Sequence, residues 1–340
     1  MRHRFAGRIG VVTAATVLLS AVIVSTQEPT QQAAPGGRGG GRGRGAAAPV
    51  EPTPRLADGT VNLGRVVGEK GIWSVPYITN MGMRVIGDDG TLLAPPPAAG
   101  GRRGGGAPAV EGRAALGSNQ PAIPGQPLGG GEGGGGGGGR GGAKSEPWVP
   151  FQPWAAAVYD YNSRNQSKYD PEGYCLPPGG PRMMATPYPA EIIQLAEQKR
   201  IIMIFEGATH IWREIYMDGR PHPEGDALNP TYLGHSVGRW EGDTLVVDVV
   251  GFNEATWLDY FGHPHTDLLH VVERYSRPNK GTLHYEALID DPGAYTRPFK
   301  VAWDIPWRAG GELTEYICQE NNKYLQRLTD DFDQPVFGKK

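Results

Sequence analysis

The chain has 340 residues, of which 52 are Gly and 31 are Pro, and its formal net charge is −3. So balanced a charge excludes a polyanion as the expected partner of the whole chain. Gly and Pro concentrate in two tracts, and the remaining roughly 220 residues suit a single all-β domain.

In chain order, residues 1–26 read as an export signal. Arg2, Arg4 and Arg8 precede the uncharged run "IGVVTAATVLLSAVIV", which is long for a signal core and short for a membrane-spanning helix. No Cys lies near the run, which removes the lipoprotein route. The expected location is periplasmic or extracellular, with no membrane contact beyond the signal. Residues 27–58 form a Gly/Arg/Pro/Ala-rich tether that cannot build a core. The RGG-like "GGRGGGRGRG" and "GGRRGGG" are of a kind that binds nucleic acid. Export ahead of them argues for no nucleic-acid partner.

Residues 59–93 contain "GIWSVPYI", read as the first strand. A lone strand is not stable, so it must pair with the domain further on. The Gly-rich stretch 94–146 is then an insertion loop, tolerable because closure entropy grows slowly with loop length.

Residues 147–337 hold the rest of the domain. "PFQPWAAAVYDYNSRNQ" predicts one helix, and "DPEGYCLPPGGPRMMATPYP" a loop ruled by Pro and Gly. Short strands follow: "AEIIQLAE" and "RIIMIFEG", "THIWREIYM" ending at Asp218-Gly219, "LGHSVGRW" and "TLVVDVVGF", "LLHVVERYS", "TLHYEALID", "FKVAWDIPW" and "ELTEYICQE". Alternation puts Val301, Trp303, Ile305 and Trp307 on one face, and Leu283, Tyr285, Ala287 and Ile289 on another. Hairpin-linked strands predict an antiparallel meander closing into a β-barrel with one flanking helix, because closure removes exposed edges. A β-sandwich is the alternative. Cys175 and Cys318, the two cysteines, are expected to be bridged in an oxidising compartment, tying the pre-strand loop to the last strand. Two separate buried thiols are the other reading.

"SVGRWEGDTLVVDVVGFN", with "DGRPHP", "DDPGAYTRPF" and "YICQE", resembles a family of uncharacterised secreted bacterial proteins and brings no catalytic residues with it. Separately, "GIW" at Gly71–Trp73 is similar to the opening of lipocalin and other calycin barrels. That resemblance implies a Trp packed across the closed barrel end against an Arg near the last strand, with Arg327 as the candidate.

Function rests on three groups of residues. "HPHTD" at 263–267 is similar to the H-x-H-x-D opening of metallo-β-lactamase-like metal sites. His263 and His265, two apart on an extended chain, point to one side and can share an ion, with Asp267 beyond them and His222 or His235 added from elsewhere. Leu268 stands where that family's motif has a further His. The plainer reading is a turn whose imidazoles bond to nearby backbone. His270 alternates within its strand as an ordinary strand residue.

Glu206, Arg213, Glu273 and Arg274 form the second group. They either line a cavity as Arg–carboxylate pairs that orient a ligand, or face water as cross-strand pairs contributing less than about 1 kcal/mol each. Trp257 and Tyr260, in a loop, form the third group and would rim such a cavity.

The expected function is thus an exported barrel binding a small, largely apolar molecule without a cofactor. The alternatives are a metal-dependent hydrolase or isomerase, for which zinc suits the donor set, and an envelope-associated interaction protein.

Overall fold

The computed structural model describes residues 50–94, 146–165, 168–207 and 211–320. The signal, the tether up to residue 49, the insertion 95–145 and Arg327 lie outside the described residues. The described residues form ten strands: β1 (Gly71–Ser74), β2 (Val85–Ile86), β3 (Pro189–Leu195), β4 (Arg200–Phe205), β5 (Trp212–Tyr216), β6 (His235–Glu241), β7 (Thr244–Val250), β8 (His270–Asn279), β9 (Thr282–Asp290) and β10 (Phe299–Ala309). Among the described residues one α-helix, α1 (Pro153–Asn165), flanks them. None of the described helices is long and apolar enough to cross a membrane.

A period of two organises the sheet. Ile201, Met203 and Phe205 of β4, Leu283, Tyr285, Ala287 and Ile289 of β9, and Val301, Trp303 and Ile305 of β10 are all buried. Their immediate neighbours in sequence point outward, as a pleated strand requires. Nine strands close in the order β1-β3-β4-β5-β6-β7-β8-β9-β10, and β10 returns to β1, while β2 adds to β10. The closing stave is the Trp73 segment: Trp73 stands opposite Trp307 on one side and Ala190 on the other. Although β1 is only four residues long, it removes both edges of the sheet at once.

The antiparallel meander fails at one seam. β5 and β6 run parallel, with Ile215 beside Ser236 and Tyr216 beside Val237. A parallel neighbour needs a crossover of a dozen or more residues, and residues 217–234 supply it. Asp218 and Gly219 do make a turn, with Arg220 folded back on Asp218. However, Pro221, Pro223 and Pro230 withhold the N–H groups that a returning hairpin strand would need. The chain therefore crosses before β6 begins.

Gly234 (φ 66°) immediately precedes β6, where a Cβ would lie 2.7 Å from the Val250 carbonyl oxygen. Gly238 leaves room for Met217 and Ile215, which a Cβ would meet at 2.5 and 2.8 Å. These two glycines let the crossover lie close against the barrel.

"ELTEYICQE" is not a strand; β10 is the last, and 311–317 runs on as irregular chain. With its neighbours already paired on both sides, β10 offers that segment no free edge. The segment is instead fixed by the Cys175–Cys318 disulfide and by Glu206, which accepts from the Thr314 N–H at 2.7 Å.

One barrel end is sealed around Trp73. The Arg277 guanidinium of β8 lies 4.8 Å from its ring centroid, and Trp307 meets it edge-on at 4.8 Å. Arg277 also donates to the carbonyls of Asn62 (2.6 Å), Gly64 (2.9 Å) and Lys280 (2.7 Å). The arginine that packs on Trp73 is therefore Arg277, from β8, within the described residues.

Candidate binding cleft

Because β5 and β6 pair at only two positions before diverging, the barrel wall is split beside them. A cleft of about 450 Å³ opens there, within the range of small-molecule sites. Ile211 precedes β5, whose start supplies Trp212 and Arg213; the crossover supplies Leu228, Tyr232 and Leu233; β6 supplies His235 and Ser236. Trp212 stands at the mouth with 60 % of its surface exposed.

The floor is polar. Alternation along β5 turns Arg213 inward with Ile215, and alternation along β8 does the same for Glu273 between Val271 and Tyr275. The Arg213 Nη2 lies 2.5 Å from the Glu273 carboxylate, and both side chains are almost fully buried. Nε of Arg213 donates to the Ser236 hydroxyl at 2.9 Å, and the Tyr285 hydroxyl donates to Glu273 at 2.8 Å. Burial, and then the Glu273 charge, hold the Tyr275 and Tyr285 phenols well above their ordinary range, so both stay neutral. Burial opposes the Arg213 charge, but Glu273 outweighs it and holds the guanidinium ionised.

The histidine stretch forms a different structure. His263 is 1 % exposed and sits between two carboxylates, with Nδ1 2.7 Å from Asp259 and Nε2 3.2 Å from Glu146. Burial works against its charge, yet Asp259 and Glu146 together push its pKa up to about 10. Phe151 stacks on the ring, Tyr159 of α1 lies against it, and the Tyr159 hydroxyl donates to Glu146 at 2.6 Å. Asp259 further accepts from the Met81 N–H at 2.6 Å. The result is a sealed imidazolium joining α1, the loop after the insertion and the 259–263 turn.

His265 bonds elsewhere, to the Thr256 hydroxyl at 2.9 Å and the Thr266 carbonyl at 3.1 Å. Asp267 is exposed. The structure thus does not bring His263, His265 and Asp267 together, and among the described residues no group of three or more His, Cys, Asp or Glu is arranged to hold a metal ion. This part of the chain does not fit a zinc centre.

His222 stands on the crossover, with Nδ1 2.8 Å from Nδ1 of His235 and Nε2 3.0 Å from Asp248. Asp248 also takes His270 at 3.0 Å. These four line the outer face beside the cleft.

Of the buried-charge group, only Arg213 and Glu273 meet. Arg274 faces outward and pairs with Glu241 at 2.9 Å, and Glu206 holds the segment after β10. Tyr260 packs against Tyr77 and Trp257 is half-buried; neither lines the cleft. Sequence reasoning missed Ser236, Tyr232 and Leu228. Parity along "HSVGRWE" marks Ser236 as inward, whereas nothing local marks the crossover residues.

Fold and cleft together define, among the described residues, a closed, mixed nine-stranded β-barrel with a cleft beside its parallel seam. Compared with protein-family models, curated proteins and solved structures, the chain finds no match in any of the three.

Proposed function

We propose that this protein binds a small, largely apolar molecule in the cleft between β5 and β6. The supporting observation is the cleft itself: about 450 Å³, walled by aromatic and aliphatic side chains, with a few polar residues such as Glu214, Asn229 and His235 among them. Few polar groups in an apolar concavity are the usual composition of a ligand site. The export signal read in residues 1–26 and the disulfide favour a protein that works outside the cytoplasm.

The test is a fluorescence titration of the full chain with the apolar dye N-phenyl-1-naphthylamine. Saturable binding is expected, and Ala227→Trp, which fills the cleft, should abolish it without lowering the melting temperature. Undiminished binding by that variant would refute the assignment.

A further inference from the structure

Of the strand residues lining the cleft, those turned outward are within a ligand's reach: Trp212, Glu214 and Tyr216 along β5, and His235 on β6. Tyr216 stacks on the His235 ring at 5.2 Å. Nδ1 of His235 lies 2.8 Å from Nδ1 of His222, whose Nε2 lies 3.0 Å from Asp248. Asp248 also meets Nε2 of His270 at 3.0 Å. The Asp248–His222–His235 chain fixes where the protons sit. A carboxylate only accepts, so Nε2 of His222 must carry hydrogen. With both rings neutral, Nδ1 of His222 is then bare and accepts from the Nδ1–H of His235. What remains is Nε2 of His235, an acceptor with no hydrogen-bond partner among the described residues.

Charge narrows the choice of ligand. The Glu214 carboxylate on the cleft wall is balanced by Arg200 at 2.5 Å, and Arg213 by Glu273 inside the barrel. Burial, and then His222 and Arg220, hold His235 below its ordinary range, so its ring adds no charge at neutral pH. The lining offers an ionic ligand no free counter-charge, and a bare ion in a largely apolar site is costly. It does offer flat surfaces, Trp212, Tyr216 and Tyr232, against which a planar ring packs well. From this we infer that the ligand is a neutral aromatic molecule bearing a hydroxyl that donates to Nε2 of His235, with His222 and Asp248 as positioning residues. The inference rests on the cleft being the ligand site.

Two readouts on the full chain test it, both at pH 8, above the ordinary histidine pKa of about 6.5. In long-range proton–nitrogen NMR with isotope-labelled histidine, His235 should be the Nδ1–H tautomer with a bare Nε2. His222→Ala or Asp248→Leu should move that proton to Nε2. The second readout is a titration with 2-naphthol, 2-methoxynaphthalene and 2-naphthoate. These share a ring system and carry a neutral donor, the same oxygen without its proton, and an anion. 2-Naphthol should bind about tenfold tighter than either of the others, the effect of one strong hydrogen bond. His235→Phe, which keeps a ring against Tyr216, should remove the preference while 2-methoxynaphthalene still binds. His222→Ala should cut it several-fold.

An Nε2–H tautomer of His235 in the native chain, or equal affinity for 2-naphthol and 2-methoxynaphthalene, would overturn the hydroxyl assignment and leave the apolar cleft standing. Tightest binding of 2-naphthoate would overturn the charge argument and the inference built on it. Failure of all three probes to bind would overturn the cleft assignment and this inference with it.

Discussion

At the scale of single residues, His263 shows how the same side chain changes meaning with its neighbours. A histidine two positions from another and four from an aspartate suggests an ion site, but Asp259 and Glu146 occupy both of its ring nitrogens. The consequence is structural. His263→Ala would leave two buried carboxylates without their cation, a loss of about 3–5 kcal/mol, visible as a lowered urea midpoint. The pH dependence has a definite sign. His263 binds its proton up to about pH 10 when folded, whereas an unfolded histidine releases it near 6.5, approximately its model value. Its contribution is therefore complete below the unfolded value and declines as pH rises through the folded one, by about 1.4 kcal/mol per pH unit between them. Unfolding curves between pH 6 and 10 should show that decline in the native sequence and not in the alanine variant. A flat native profile would contradict the buried imidazolium.

Between elements, the decisive contact joins the crossover to β6. His222 and His235 share a 2.8 Å contact between their Nδ1 atoms, which requires that only one of the two carry a proton there. Nε2 of His222 lies 3.0 Å from Asp248 on β7, while burial, and then His222 and Arg220 on the crossover, oppose charge on His235. Tyr216 of β5 stacks on His235, and His270 of β8 shares Asp248. Because burial and these neighbours depress His235 below its ordinary range, its contribution is present above that range and is lost as pH falls and a second proton arrives. Hydrogen exchange over residues 220–234, corrected for its intrinsic pH dependence, should quicken near pH 5 relative to pH 7.5. In His222→Ala the two rates should coincide. Equal protection in the native chain at both values would argue against this latch.

The molecule as a whole depends on connections made over long distances. The Cys175–Cys318 bridge closes a loop with a sequence separation of 143. In the chain-entropy description a loop of that order contributes about 4–5 kcal/mol, acting through the unfolded state. Replacing both cysteines by serine should lower the denaturant midpoint accordingly while leaving the far-ultraviolet β-sheet signature intact. An unchanged midpoint would mean that other contacts already hold the loop ends. Trp73 works over a similar distance: its indole N–H donates to Leu63 at 2.7 Å while Arg277, far along the chain, covers its ring.

What the sequence by itself determined is whatever depends on parity and composition. Alternation in "KVAWDIPW", "TLHYEALI" and "HVVERY" decides which side chains face inward. Parity also sets Glu273 and Arg274 on opposite faces, but which of the two turns inward stayed open until the strand had neighbours. The isolated "GIW" had to be a stave because a lone strand cannot stand, and the helix followed from its own spacing.

Only the tertiary structure decided which strands become neighbours and which polar groups meet. The parallel seam arises because three prolines keep the chain from folding straight back, and the cleft exists only because of that seam. Arg213 finds Glu273, and His263 finds Glu146, across 117 residues in the latter case. Local pattern sets the direction in which a side chain points, but its partner is set by closure of the sheet, which brings together residues that share no sequence neighbourhood.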